Sequence, residues 1–211
     1  MKKQKNIIEA PLGETKVLLH TCCAPCSSAI IEAMMKNGIT PVIYYCNPNI
    51  YPVEEYEIRK NECKRYAEAL GLEIVDADYD HDNWLLQMKG LEDEPERGGR
   101  CLKCFKFRLL RTAEYARDHG IKVITTTLAS SRWKSLDQIN EAGFWACNAV
   151  TNRYLSTETP VSMDKTDDRV IWWPYNWRKN GLQERRLQII KEYDFYNQQY
   201  CGCEFSMRNK D

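Results

Sequence analysis

Histidine is scarce in this chain, three residues in 211, and no two of them stand at the spacing of a metal-ligand pair, so no histidine-built metal site is in prospect. No apolar run reaches the ~18 residues that a membrane-crossing helix needs. The opening stretch MKKQKNIIEAPLGETK has neither an apolar signal core nor a small-residue cleavage site. A cytoplasmic protein without a membrane partner is therefore expected. Charge of one sign is not in excess either, with 30 basic and 30 acidic residues, so any surface for nucleic acid has to be a local patch. Neither familiar glycine-rich phosphate loop occurs. Internal repeats and low-complexity tracts are missing as well.

What the chain has is cysteine, ten residues of it. Cytosolic thiols stay reduced, so grouped cysteines there read as metal-binding or catalytic rather than as structural staples. Three groups stand out. HTCCAPCSSA (20–29) places Cys22 and Cys23 side by side with Cys26 one helical turn on; RCLKCFKFR holds Cys101 and Cys104; YCGCEFS holds Cys201 and Cys203. Cys46, Cys63 and Cys147 stand alone in apolar or helical stretches and read as core thiols.

The pattern between these groups alternates strand and helix. Lys16–His20 is a continuous apolar strand. Pro25 suits the first turn of a helix that runs on through Ser27–Lys36. PVIYYC (41–46) is a second strand, so the first thirty residues of the pattern form a βαβ unit. A helix over Val53–Leu70 ends at Gly71, a strand follows at Glu73–Asp76, and DYDHD (78–82) reads as a polar turn. A short helix is expected over Trp84–Met88. A charged loop, KGLEDEPERGGR, then delivers Cys101 to a helix spanning Leu102–His119. KVITTT (122–127) is a strand, Leu128–Lys134 a loop, Ser135–Val150 a helix. Residues 151–168 look like an exposed excursion, Arg169–Trp173 like the last strand, and Gly181–Tyr193 like the last helix. This is one domain over residues 1–211, of which 1–15 are a polar extension, with a doubly wound α/β sheet. In such sheets ligands bind outside the carboxyl ends of the strands, which is where the cysteine loop, the loop after Cys46, Asp78–His81 and the loop after Thr127 fall.

Soft thiolates select zinc or iron–sulfur centres. Cys22, Cys23, Cys101 and Cys104 offer four thiolates. Adjacent cysteines suit a zinc chelate poorly and a cubane, with its separated irons, better. A helix N-terminus also stabilises thiolate charge. Cys26 either ligates a second metal or a labile iron, or packs. Cys201-Gly-Cys203 can close only a tight and labile ring, which suits an electron relay. Arg97, Arg100, Lys103, Lys106, Arg108 and Arg111, interleaved with Phe105 and Phe107, could hold a phosphate backbone and stack a base, or be a solvated helix face. IWWPYNWRK, with Trp172, Trp173, Tyr175, Trp177 and Arg178, is equally a binding surface or core. Asp80 and His81 are candidate acid–base or orienting groups.

LLHTCCAPCSS, YYCNPNIYPVEEYEIRK, Tyr79–Asp80, RGGRCLKCFKFRL, the TTTL of 125–128 and YCGCEFS, in this order from about residue 16 to 206, resemble the QueH-type epoxyqueuosine reductases. The resemblance implies a Rossmann-like parallel sheet of the adenine nucleotide α-hydrolase (HUP) type with helices on both faces. It implies a [4Fe–4S] cluster on Cys22, Cys23, Cys101 and Cys104 and a redox-active disulfide between Cys201 and Cys203; an additional iron at Cys26 remains the alternative read from the residues. It also implies reduction of the epoxide of epoxyqueuosine at the wobble position (34) of tRNA, without cobalamin. An external electron donor, Asp80 as proton source, RNA contacts from Arg100, Lys103, Lys106 and Arg108, and a monomeric chain complete the expectation. Two departures touch RNA contacts: the long excursion at 151–168, and Asn197 where a basic residue is expected. Two competing readings remain. A tRNA-thiolating enzyme would need an ATP loop where HTCCAPCSS stands, and a zinc-stabilised RNA-binding module gives Cys201 and Cys203 no role.

Overall fold

The computed structural model describes residues 7–155, 169–196 and 198–207; Asn197 and positions 156–168 of the expected excursion lie outside them. After a 3-10 turn at Pro11–Gly13 come β1 (Lys16–His20), α1 (Ala24–Lys36), β2 (Thr40–Tyr45), α2 (Val53–Leu70), β3 (Ile74–Asp76), α3 (His81–Met88) and α4 (Gly99–Asp118). Then follow β4 (Val123–Thr126), a 3-10 turn at Thr127–Ser130, α5 (Leu136–Leu155), β5 (Ile171–Trp172), α6 (Leu182–Glu192) and a last 3-10 turn at Glu204–Ser206.

Five parallel strands stand in the order β3-β2-β1-β4-β5. β1 is central, and its Val17, Leu18 and Leu19 are wholly buried, as a strand covered on both faces must be. The chain winds outward from β1 to β3, then crosses back to β4. Strand order therefore reverses between β1 and β4, and the crevice at their carboxyl ends is where doubly wound sheets take ligands. His20 pairs there with Tyr44 on one side and Thr126 on the other. α1 packs on α2 and α6, while α4 packs on α3 and α5, which gives the helical layers of a Rossmann-like fold. A glycine inside α5 has a packing reason: a Cβ on Gly143 would lie 2.1 Å from the Trp172 indole.

Several expectations are corrected. α3 starts at His81, not Trp84, because the polar Asp-His-Asp-Asn run supplies a first helical turn, with Trp84 N–H bonding the Asp80 carbonyl at 3.1 Å. α4 starts at Gly99, because Glu94 Oε2 accepts from the Gly99 N–H at 2.9 Å, so Cys101 lies in the first turn of the helix instead of ending a loop. α5 takes up residues 151–155 of the expected excursion. β4 stops at Thr126, whose hydroxyl caps the 3-10 turn that follows by accepting from Leu128 N–H. The polar N-terminal extension is partly docked: Ile8 and Ala10 join the core.

Candidate metal and redox site

β1 delivers Thr21, Cys22 and Cys23 to the head of α1, where Pro25 occupies the first turn. The Sγ atoms of Cys22, Cys23 and Cys26 lie within 4.8 Å of one another, those of Cys22 and Cys23 at 3.9 Å. Cys26, the least determined of the three in the sequence, thus belongs to the group. Thr127, which opens the 3-10 turn after β4, donates its hydroxyl to Cys22 Sγ at 3.3 Å and accepts from Cys22 N–H at 3.1 Å.

Hydrogen bonds from the Cys23 and Cys26 thiols, aided by Thr127 and the Lys134 charge, hold Cys22 well below the usual thiol range. The same contacts with Cys22, together with burial, push Cys23 up and Cys26 up to about 12. Three sulfurs drawn together at a helix N-terminus are a preorganised soft donor set. Beneath it His20 is wholly buried. Burial, then the nearby Arg108 charge, lower its pKa to about 3. It is therefore neutral, with Nε2–H donating to the Cys46 carbonyl at 3.1 Å and Nδ1 accepting from Thr126 at 2.7 Å.

Cys101 and Cys104 are outside that 4.8 Å group. They share the wall of an open pocket, about 610 Å³, with Cys201 and Cys203. Trp84, Asn49 and Phe105 also line it, and Arg97, Trp133 and Lys134 stand among its walls. Cys104 and Cys203 pack on the same small cluster around Trp84. Lys134 links the two sites. Its Nζ donates to Cys201 Sγ at 2.9 Å, and its charge also acts on Cys22 and Cys101. Burial opposes that charge, but the Cys201 sulfur outweighs it and the Lys134 pKa is raised. Asn49 Oδ1 and Trp84 Nε1 are buried without a hydrogen-bond partner, a cost that a polar ligand would relieve.

The tail carrying Cys201 and Cys203 is docked on the loop after β2. Cys203 forms an antiparallel bridge with Ile50, and Tyr51 N–H donates to the Gly202 carbonyl at 2.8 Å. Arg59 donates to the carbonyls of Tyr200 and Cys201 at 3.1 and 3.3 Å, while its own charge is matched by Glu55 at 2.7 Å. Gly202 has φ +105, and a Cβ there would lie 2.9 Å from Ile50 Cγ1, so only glycine fits. Cys201 and Cys203 are not joined in a disulfide. Cys201 is exposed; Cys203 is half-buried and pushed up to about 12 chiefly by burial.

Other candidates are placed differently. Arg100 and Arg108 are largely buried, though both also stand among the pocket walls. Arg108 donates to the Cys46 carbonyl at 3.1 Å and to Asn47 Oδ1, and Asn47 in turn donates to the Thr21 carbonyl at 2.9 Å. Arg100 donates to the carbonyls of Leu91 and Glu92 and lies over the Phe205 ring. Lys103 faces solvent, and Lys106 pairs with Glu141 at 2.7 Å. Phe105, Trp172, Trp173 and Trp177 are core residues. Asp80 is not in the pocket wall; its carboxylate meets Asn83 at 3.0 Å and Arg111 at 3.6 Å. His81 donates Nδ1–H to the Pro48 carbonyl at 2.6 Å and stacks on Tyr79. Thr127, Lys134 and Arg59 were given no role from the sequence. For Lys134 a signal existed, since it lies on the loop after β4 at the site edge.

Comparison with known proteins gives this arrangement a family. The family model described as "Epoxyqueuosine reductase QueH" matches residues 17–209. The protein of that name from Haemophilus influenzae is 47% identical over 204 residues, 97% of this chain and 76% of that protein. Its namesake from Histophilus somni is 46% identical over 202 residues, with 96% and 76% covered. The Thermotoga maritima protein of the same name is 30% identical over 194 residues, with 90% of each chain covered. This chain belongs to the QueH family of epoxyqueuosine reductases.

Proposed function

We propose that this chain reduces the epoxide of epoxyqueuosine at the wobble position of tRNA, giving queuosine, with a [4Fe–4S] cluster and without cobalamin. The observation that carries the reading is the pocket in which Cys101 and Cys104 share a wall with Cys201 and Cys203, beside the three-thiol group at α1. Both carbon–oxygen bonds of the epoxide break, two electrons and two protons are taken up, and the oxygen leaves as water. Oxidation of the Cys201 and Cys203 thiols to a disulfide releases that number of electrons and protons, and an external dithiol donor reduces the disulfide again.

Cys22, Cys23, Cys101 and Cys104 would hold the cluster, and Cys26 an additional iron. The donor chemistry fits, because all are soft sulfur ligands and neighbouring thiols hold Cys22 well below the usual thiol range. When bound, such a centre supplies one-electron steps and an iron able to polarise an epoxide oxygen. Lys134 offsets the negative charge of thiolate ligands and seats the Cys201 sulfur. Trp84 and Asn49 offer a donor and an acceptor to a polar ring in the pocket. Lys103 provides a phosphate contact, and Arg100 and Arg108, which stand among the pocket walls, add positive charge there. The chain works as a cytoplasmic monomer on its tRNA.

Iron, sulfide and zinc analysis with a visible spectrum, on protein purified without oxygen, tests this. About four irons and four sulfides, with colour bleached by dithionite, are expected. Cys201→Ser with Cys203→Ser should keep that iron but lose multiple turnover on epoxyqueuosine-containing tRNA. Wild-type turnover in the double variant would remove the relay. One zinc and no colour after reconstitution would replace the reductase by the zinc-stabilised RNA-binding module.

A further inference from the structure

Of the six tryptophans, Trp84, Trp172, Trp173 and Trp177 are buried, whereas Trp133 is 66% exposed. Among the described aromatic residues it is the most exposed, ahead of Phe144 at 50%. An indole left in water forfeits apolar burial, and such residues concentrate at interfaces.

Its position is specific. Trp133 lines the pocket that holds Cys101, Cys104, Cys201 and Cys203. Its loop is also held from beneath. Arg97 donates Nε to the Trp133 carbonyl at 2.9 Å and Nη2 to the Arg132 carbonyl at 2.8 Å, and Arg178 donates to the Lys134 carbonyl at 2.7 Å. Arg97 itself has a left-handed backbone (φ 68), and its carbonyl accepts from Gln138 at 2.8 Å. Three successive carbonyls are thus clamped by guanidinium groups while the side chain of Trp133 stays free. The Arg132 guanidinium lies 5.1 Å from the indole centroid. With Arg97 and Lys134 it makes this rim cationic, against one carboxylate of the pocket wall, Glu96.

We propose that Trp133 is a stacking platform for an unpaired nucleobase of the RNA substrate, the neighbour of the base that enters the pocket. This rests on the tRNA reading above. A base that reaches the thiols must leave its stack, and its neighbour then loses a stacking partner. A clamped indole at the pocket wall replaces that partner, and Arg132 adds a cation to the face of the ring and charge for the adjacent phosphate. The cationic rim fits RNA.

The test is binding of an RNA hairpin with the sequence of the substrate anticodon arm, carrying unmodified guanine at the wobble position. A second set of hairpins replaces either neighbour of that guanine by an abasic residue. Trp133→Ala should raise Kd about tenfold and Trp133→Phe by less than about threefold. An abasic neighbour should weaken the wild type by a similar factor and leave Trp133→Ala unaffected. Unfolding midpoints of all variants should match, since the side chain is outside the core. Equal binding by wild type and Trp133→Ala would overturn the platform and leave the tRNA reading intact. No binding of any hairpin by the wild type would overturn both. A wild-type dimer that Trp133→Ala dissociates would assign the indole to a second copy of the chain instead.

Discussion

Cys22, Cys23 and Cys26 sit where β1 hands over to α1, on backbone that the central strand of the sheet fixes. Cys201 and Cys203 reach the same edge on a tail anchored by the bridge to Ile50 and by Arg59. The first group has its sulfur chemistry set by neighbours within the group, whose thiols hold Cys22 well below its usual range. The second is split between solvent and interior, with Cys201 exposed and Cys203 against the Trp84 cluster. Sheet topology fixes the first group in place, close enough together to hold a metal ion. A docked tail makes a group that can exchange with a partner from outside while its inner thiol faces Cys104.

The sharpest way to break that contrast is Arg59→Met. The residue is 3% exposed, paired with buried Glu55, and bonded to two tail carbonyls. Removing one partner of a buried pair costs about 3–5 kcal/mol, measurable by urea unfolding. In the native protein, alkylation of Cys203 should accelerate while metal retained at the α1 group is unchanged. Equal loss at both groups would mean that the tail and the sheet edge are one unit.

Cys147, which belongs to neither group, provides a control thiol. Burial alone pushes it up to about 12, against about 8.5 for a free thiol. The folded state binds that proton more tightly, so the contribution is complete below about pH 8.5 and is lost as pH climbs toward 12. Cys147→Ala should flatten the alkaline limb of the stability curve by at most ~1.4 kcal/mol per pH unit. An unchanged limb between about pH 9 and 11 would show the thiol to be hydrated.

The smallest effect is expected behind α1. Arg185 holds Glu32 with two bonds, 2.6 and 2.9 Å, tying α6 to the helix that carries Cys26. The Arg185 contact, against some opposing burial, lowers Glu32 to about 2. Because both groups are partly exposed, Arg185→Ala should cost less than about 1 kcal/mol at neutral pH, and still less once acid protonates Glu32. A loss several times larger would mean that α6 supports the thiol group directly.

The order of strands and helices was legible because β1 and β2 are largely apolar runs, α1 ends at Asn-Gly and α2 ends at glycine. The strand ends then located the site edge before any contact was visible. What stayed hidden depends on partners far away in the chain. Arg100 and Arg108 look like an RNA-binding face in isolation, and only the carbonyls of Leu91, Glu92 and Cys46 take them inside. Trp172, Trp173 and Trp177 could equally have been surface, since their burial is settled by packing with Tyr175 and α5. The Lys134 contact to Cys201 spans 67 residues and has no local signature. The start of α4 was missed because Gly98 and Gly99 resemble a loop until Glu94 caps them.

The bridge between Ile50 and Cys203 has a consequence for biogenesis. A chain made from its N-terminus has Cys22, Cys23, Cys26, Cys101 and Cys104 in hand long before residue 203 is added. Until then the pocket lacks the wall that Cys201 and Cys203 supply. The wall beside the α4 thiols is thus made late in synthesis, and docking of Gly202 against Ile50 sets it in place.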